Sequence, residues 1–152
     1  MNGEDKLIFL DTNILIYATI PQSPFHIIAV KAIEDFEQAA TELWISRQVL
    51  REYLATLTRP QIFATSIPIT ELTGSIRRLS DRFRLADDNE QVTAHLLTLM
   101  EKIPIGGKQV HDANIVATMQ AYGINRLLTH NVADFKRFSE LITILPLLLE
   151  EV

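Results

Sequence analysis

The chain contains no cysteine. Disulfides are excluded, and so are zinc and iron–sulfur sites built on thiolates. Long apolar runs are missing as well. Tracts such as LLTL, LITIL and PLLLE fall well short of the ~20 residues a helix needs to cross a bilayer. Glycine, serine and proline nowhere gather into a linker, and no segment repeats. The opening segment MNGEDKLIFLDTNILIYA places acids before its apolar run and Asp11 inside it, a poor pattern for secretion. These absences set a cytoplasmic location as the expectation. Positive charge is also in short supply. Lys and Arg total 14 against 19 Asp and Glu, a net charge of −5. A nucleic-acid binder needs cations to meet phosphates, so this balance argues against one. The argument fails if several of the acids are gathered to hold metal ions, because net charge describes the whole surface and not one cleft.

What is present describes a globular protein. At 152 residues, 47% hydrophobic and 22% charged, the chain suits a single domain over 1–152 with a proper core. LIFL (Leu7 to Leu10) is a continuous apolar run, as in a strand buried on both faces. Ser23-Pro24 reads as an N-cap followed by proline at the first helical position. The helix would run to about Ala40 and bury Ile27, Ala29, Val30, Ile33 and Phe36. ELWIS (Glu42 to Ser46) predicts a second strand. Ser46 would cap the next helix, with Val49, Leu50, Tyr53, Leu54 and Leu57 facing inward and a stop before Pro60. Helices follow over Ile69 to Phe83 (Leu72, Ile76, Leu79, Phe83) and Asn89 to Met100 (Val92, Leu96, Leu97, Met100), with a short strand in FRLADD between them. PIGGK is a loop. His111 to Tyr122 predicts a helix closed by Gly123. RLLTH and ITIL read as the last two strands. Strands separated by helices imply an α/β fold with a mainly parallel sheet. In such sheets, ligands bind outside the C-terminal strand ends.

Four acids stand at positions that could share that edge. Asp11 directly follows the first strand. Glu52 lies on the helix after the second, Asp112 opens a later helix, and Asp134 follows the LLT strand. They are 41, 60 and 22 residues apart, so only folding could collect them. Four close carboxylates repel one another and raise one another's pKa. Mg²⁺ or Mn²⁺, which favour oxygen ligands, would remove that cost. Taken singly, each acid has a plainer use. Asp11 and Asp112 suit helix caps or the positive end of a helix dipole, and Glu52 suits a solvated helix face.

With these segments in view the chain resembles the PIN-domain ribonucleases, and within them the VapC-type toxins of bacterial and archaeal toxin–antitoxin pairs. The resemblance spans nearly the whole chain. It rests on LDTN before an apolar helix, on the apolar-Ser-x-x-x-x-x-Glu segment of Ser46 and Glu52, on HDA beginning a helix, and on LLTHNVADF. It implies a three-layer α/β/α sandwich with a mainly parallel central sheet of about five strands. It further implies that Asp11, Glu52, Asp112 and Asp134 form the acidic cluster holding Mg²⁺, for which Mn²⁺ could substitute. Asn13, Ser46, Thr129 and Asn131 would stand beside it as supporting polar residues. Thr129 could instead satisfy a strand end, and Asn131 could cap the turn containing Asp134.

The implied activity is metal-dependent hydrolysis of RNA phosphodiesters by a toxin, with no histidine or serine nucleophile. His111 and His130 suit packing or surface hydrogen bonds, and His26 and His95 form no ligand pattern. Setting the four acids aside leaves the remaining chain at −1. Arg77, Arg78, Arg82 and Arg84, with Lys108, Lys136 and Arg137, could then hold RNA. The alternative is a solvated face in which the arginines pair with Asp81, Asp87 and Asp88. The resemblance also implies a homodimer and an antitoxin laid across an apolar groove, for which Ile14 to Phe36 offers Tyr17, Phe25 and Ile28. Competing functions are a noncatalytic RNA- or protein-binding PIN module, a solitary PIN nuclease in RNA processing, and a DNA-cleaving enzyme. An aspartyl phosphotransferase is disfavoured by Asn13, where such enzymes carry a second aspartate.

Overall fold

The computed structural model describes residues 6–60 and 66–148. Five strands are numbered in chain order: β1 (Leu7–Leu10), β2 (Glu42–Ser46), β3 (Arg84–Ala86), β4 (Arg126–Thr129) and β5 (Thr143–Pro146). Seven α-helices accompany them among the described residues: α1 (Thr12–Thr19), α2 (His26–Gln38), α3 (Arg47–Leu57), α4 (Ile69–Arg82), α5 (Glu90–Lys102), α6 (Gln109–Ala121) and the single turn α7 (Val132–Phe135). The strands form one sheet in the order β3-β2-β1-β4-β5, and every pairing is parallel. Ile8, Phe9 and Leu10 are successive and all fully buried. Because successive strand side chains face opposite ways, both faces of β1 are covered, as crossover helices require.

This order has a functional consequence. The chain leaves β1 for β2 on one side and later returns to place β4 on the other. The connections after β1 and β4 therefore diverge, leaving a crevice at their C-terminal ends. Asp11 N–H donates to Leu128 O at 3.0 Å, continuing the β1–β4 ladder one residue beyond the strand. Every acid singled out from the sequence lies on an element that begins at this edge.

Two helices depart from the expected inward stripes. α2 starts at His26, with Phe25 at the cap position and no side-chain cap. Ser23 instead builds the preceding turn, its Oγ accepting Phe25 N–H and its carbonyl accepting His26 N–H. Ile27 is 78% exposed, while Ala29 and Ile33 are buried. At 3.6 residues per turn, Ile27 lies about 120° around the helix from Ile33, off the stripe that Ala29, Val30 and Phe36 share. In α5, likewise, Leu97 and Met100 are exposed, and the buried anchors are Val92 and Leu99, seven residues apart. α6 begins two residues before His111, and its end is closed by Gly123 at φ +69°, a left-handed conformation that suits glycine.

Candidate functional site

A cavity of about 300 Å³ opens at the C-terminal edge of the sheet, and Asp11, Glu52, Asp112 and Asp134 all line it. Asn13 and Asn131 are on its wall too. Four distant segments thus meet in one crevice, as the parallel topology permits.

Asp11 is the most enclosed of the four, 6% exposed. Its Oδ1 accepts the Thr12 backbone N–H at 2.8 Å, so it caps α1. Its Oδ2 accepts from Thr129 Oγ1 at 2.7 Å and from Asn13 Nδ2 at 3.0 Å. The plain and the functional readings of Asp11 therefore coexist: capping aims the carboxylate into the crevice. Asn13 ties the two strand ends together, since its Oδ1 also accepts the His130 backbone N–H at 3.0 Å. Thr129 is fully buried beneath the site and also accepts Asn131 N–H. The Asn131 side chain does not cap α7; its carbonyl accepts Asp134 N–H.

Glu52 is held at both oxygens. Thr12 Oγ1 donates to Oε2 and Gln48 Nε2 donates to Oε1, each at 2.8 Å. Ser46 does not line the cavity. Its Oγ accepts Val49 N–H at 3.2 Å, so its hydroxyl is engaged in starting α3. Thr12 and Gln48 were not singled out in the sequence, nor was Arg59, which lines the cavity. A signal was available. Gln48, Glu52, Ala55, Thr56 and Arg59 follow the i, i+3, i+4 spacing that keeps residues on one helical face.

Electrostatics show the acids sensing one another. The Asp112 carboxyl is pushed up to about 6, first by burial and then by the charges of Asp134, Asp11 and Glu52, with Arg137 opposing. Asp11 is pushed up to about 6 by burial foremost, with a contribution from Glu52, although hydrogen bonds from Thr129, Thr12 and Asn13 pull it down. The charge of Asp11 reaches Tyr17 as well, adding to burial in raising its phenol. Among the described residues, no three acidic or imidazole groups form a ready-made metal cage. The donor set nonetheless suits a hard divalent cation, being all oxygen and mutually repulsive, with Asp11 buried, Glu52 and Asp112 half-buried and Asp134 exposed.

Two of the histidines make packing or structural contacts. His130 packs against Phe25 and Tyr17, with ring centroids 4.5 and 5.5 Å away. His26 Nδ1 is 2.8 Å from Tyr17 O. Two arginines of the cluster, Arg82 and Arg84, belong elsewhere. Arg82 pairs with Glu37 and Arg84 with Glu42, at the N-terminal side of the sheet where β2 begins. Asp87 and Asp88 pair instead with Arg47 and Arg51. The cavity of about 500 Å³ around Arg82 and Arg84 is lined by Glu37, Glu42 and Asp81 as well, and the two arginines pair with the two glutamates.

A model of the PIN domain matches residues 8–141, which contain all four acids. The chain belongs to the PIN domain family. Among curated PIN relatives it is 25% identical over 130 residues to Ribonuclease VapC48 of Mycobacterium tuberculosis (strain CDC 1551 / Oshkosh), covering 84% of this chain and 89% of that protein. Solved structures share the PIN fold. VapBC2 from Rickettsia felis, bound to a DNA fragment from its promoter, aligns with TM-score 0.66 and 21% identity over 92% of this chain and 98% of that one. Mycobacterium tuberculosis VapC20, a sarcin–ricin loop cleaving toxin, aligns with TM-score 0.60 and 17% identity over 79% and 86%.

Proposed function

We propose that this PIN protein is a metal-dependent endoribonuclease, the toxin of a type II toxin–antitoxin pair. The observation that carries the reading is the meeting of Asp11, Glu52, Asp112 and Asp134 in one crevice at the β1–β4 edge. The likeness to Ribonuclease VapC48 supports RNA as the substrate, and the likeness to VapBC assemblies supports an antitoxin partner. A homodimer and a cytoplasmic location accompany this reading. Among the described residues no helix is long and apolar enough to cross a membrane.

The four carboxylates would hold Mg²⁺, with Mn²⁺ as a substitute. When bound, the cation supplies charge neutralisation at the scissile phosphate and lowers the pKa of water. The chain's own residues do the positioning. Thr12, Asn13 and Thr129 orient Asp11. Thr12 and Gln48 orient Glu52. Asn13 and Asn131 bring neutral polar groups to the cavity wall, and Arg59 brings a guanidinium suited to a phosphate.

The test is cleavage of a mixed RNA pool by purified protein with Mg²⁺ or Mn²⁺, with EDTA, and with Asp11→Asn. Cleavage should need metal and should fall at least about 100-fold in the variant, since even residues that only support metal ligands typically contribute 10–100-fold. Equal cleavage by the variant, or cleavage that survives chelation, would overturn the reading.

A further inference from the structure

We propose that Gln48 is a positioning residue that locks the Glu52 helix to the Asp112 helix and so sets the spacing of the carboxylate site. The inference rests on the metal-dependent reading above. Gln48 is the second residue of α3, one turn before Glu52, and only 6% exposed. Its Nε2 donates to Glu52 Oε1 at 2.8 Å and to His111 O at 2.8 Å. Its Oε1 accepts from Asn114 Nδ2 at 2.7 Å. His111 and Asn114 flank Asp112 on α6, so one buried amide binds both sides of the site.

The chemistry of the partners determines the orientation. Glu52 Oε1 and His111 O only accept, so they require the NH₂ end of Gln48. The oxygen end then faces Asn114, whose Nδ2 donates to it and lies 3.4 Å from Asp88 Oδ2. Thr12 Oγ1 holds the other oxygen of Glu52, so the carboxylate is gripped from α1 and from α3. No other side chain of this length serves. Glutamate would set a carboxylate against two acceptors, methionine would offer no donor, and asparagine would be one carbon short. Partners of this kind fix the direction of a ligand and raise its effectiveness.

The experiment titrates Mn²⁺ alone into metal-stripped protein by calorimetry, for wild type, Gln48→Met, Glu52→Gln and the double variant. Circular dichroism and melting curves report folding. Gln48→Met should weaken Mn²⁺ binding about tenfold or more. It should add little in the Glu52→Gln background, because residues acting through one another are non-additive. A packing role alone would lower the melting temperature and leave Mn²⁺ affinity intact, which overturns the inference, as would independent, multiplying losses. Asn114→Ala keeps the amide but removes the donor to its oxygen. If Gln48→Met fails to fold, this variant should show a few-fold loss that disappears when Glu52 is also replaced, and wild-type affinity would overturn the inference. Wild-type affinity in Glu52→Gln would sink the carboxylate site itself. A loss there without one in Gln48→Met would sink only the positioning role.

Discussion

Asp11 combines a structural role with a place in the proposed carboxylate site. It caps α1 and ends the β1–β4 ladder, yet it is enclosed beside other carboxylates. Burial is the main reason its carboxyl is raised from 3.8 to about 6. In the metal-free protein the folded state holds this proton more tightly than the unfolded chain does. Between about pH 4 and 6 the native state carries more protons, so stability falls as pH rises through that window. The full penalty above pH 6 is roughly 3 kcal/mol. Asp112 shifts the same way. Asp11→Asn removes the charge but, with its oxygen kept on Thr12 N–H, turns an NH₂ towards both Asn13 Nδ2 and Thr129 Oγ1, at a cost of about 1–2 kcal/mol for two disturbed hydrogen bonds. With EDTA at pH 7.5 the variant should therefore melt at or above wild type, and at pH 5 the advantage should shrink or reverse. A variant less stable by the same amount at both pH values would show that Asp11 acts as a cap alone. Melting curves at the two pH values decide between them.

At the scale of elements, caps set where each helix starts and hence where its acids point. Ser46 ends β2 and starts α3, which carries Gln48 and Glu52. Its hydroxyl accepts one N–H of α3 and touches no other site group named above. Ser46→Ala should cost about 1 kcal/mol, read from urea unfolding, and keep metal-dependent RNA cleavage within about threefold. A loss of cleavage like that of Asp11→Asn at unchanged stability would return Ser46 to the site. The same scale explains the misplaced stripes of α2 and α5. Periodicity selects a set of apolar residues, but the phase of the buried face depends on what the helix packs against. Ile27 and Leu97 were therefore assigned to the wrong side, while Leu99 was passed over.

Over the whole molecule, the converging acids and the two arginines Arg82 and Arg84 lie towards opposite edges of the sheet. The four acids occupy the C-terminal edge of the sheet with Arg59 and near Arg137, while Arg82 and Arg84 are paired with Glu37 and Glu42 towards the other edge. Exposed pairs of this kind contribute roughly 0–1 kcal/mol. Replacing Arg82 and Arg84 together by Gln should leave kcat/KM on RNA within about twofold, whereas Arg59→Gln should lower it. Cleavage assays on one RNA at fixed salt compare the two. A large loss confined to the double variant would move the RNA path to the far edge.

The local facts were legible from the residues alone. LIFL is a doubly buried strand, Ser46 caps a helix, Gly123 closes one, and α/β alternation implies a parallel sheet. Each depends on residues within a turn or two, where periodicity and capping chemistry act. The segments that resemble PIN motifs also carry the four acids, so the candidate site was legible as a set of positions. Tertiary structure decided how those positions combine. The order β3-β2-β1-β4-β5 puts the ends of β1 and β4 side by side, and strand order leaves no period in a sequence. Likewise, Thr12 becomes a partner of Glu52 only through a contact between α1 and α3, from 40 residues away. Gln48 has the spacing of an ordinary helical neighbour, and its second role appears only when α6 brings His111 and Asn114 against it, because hydrogen bonds across elements depend on how helices pack.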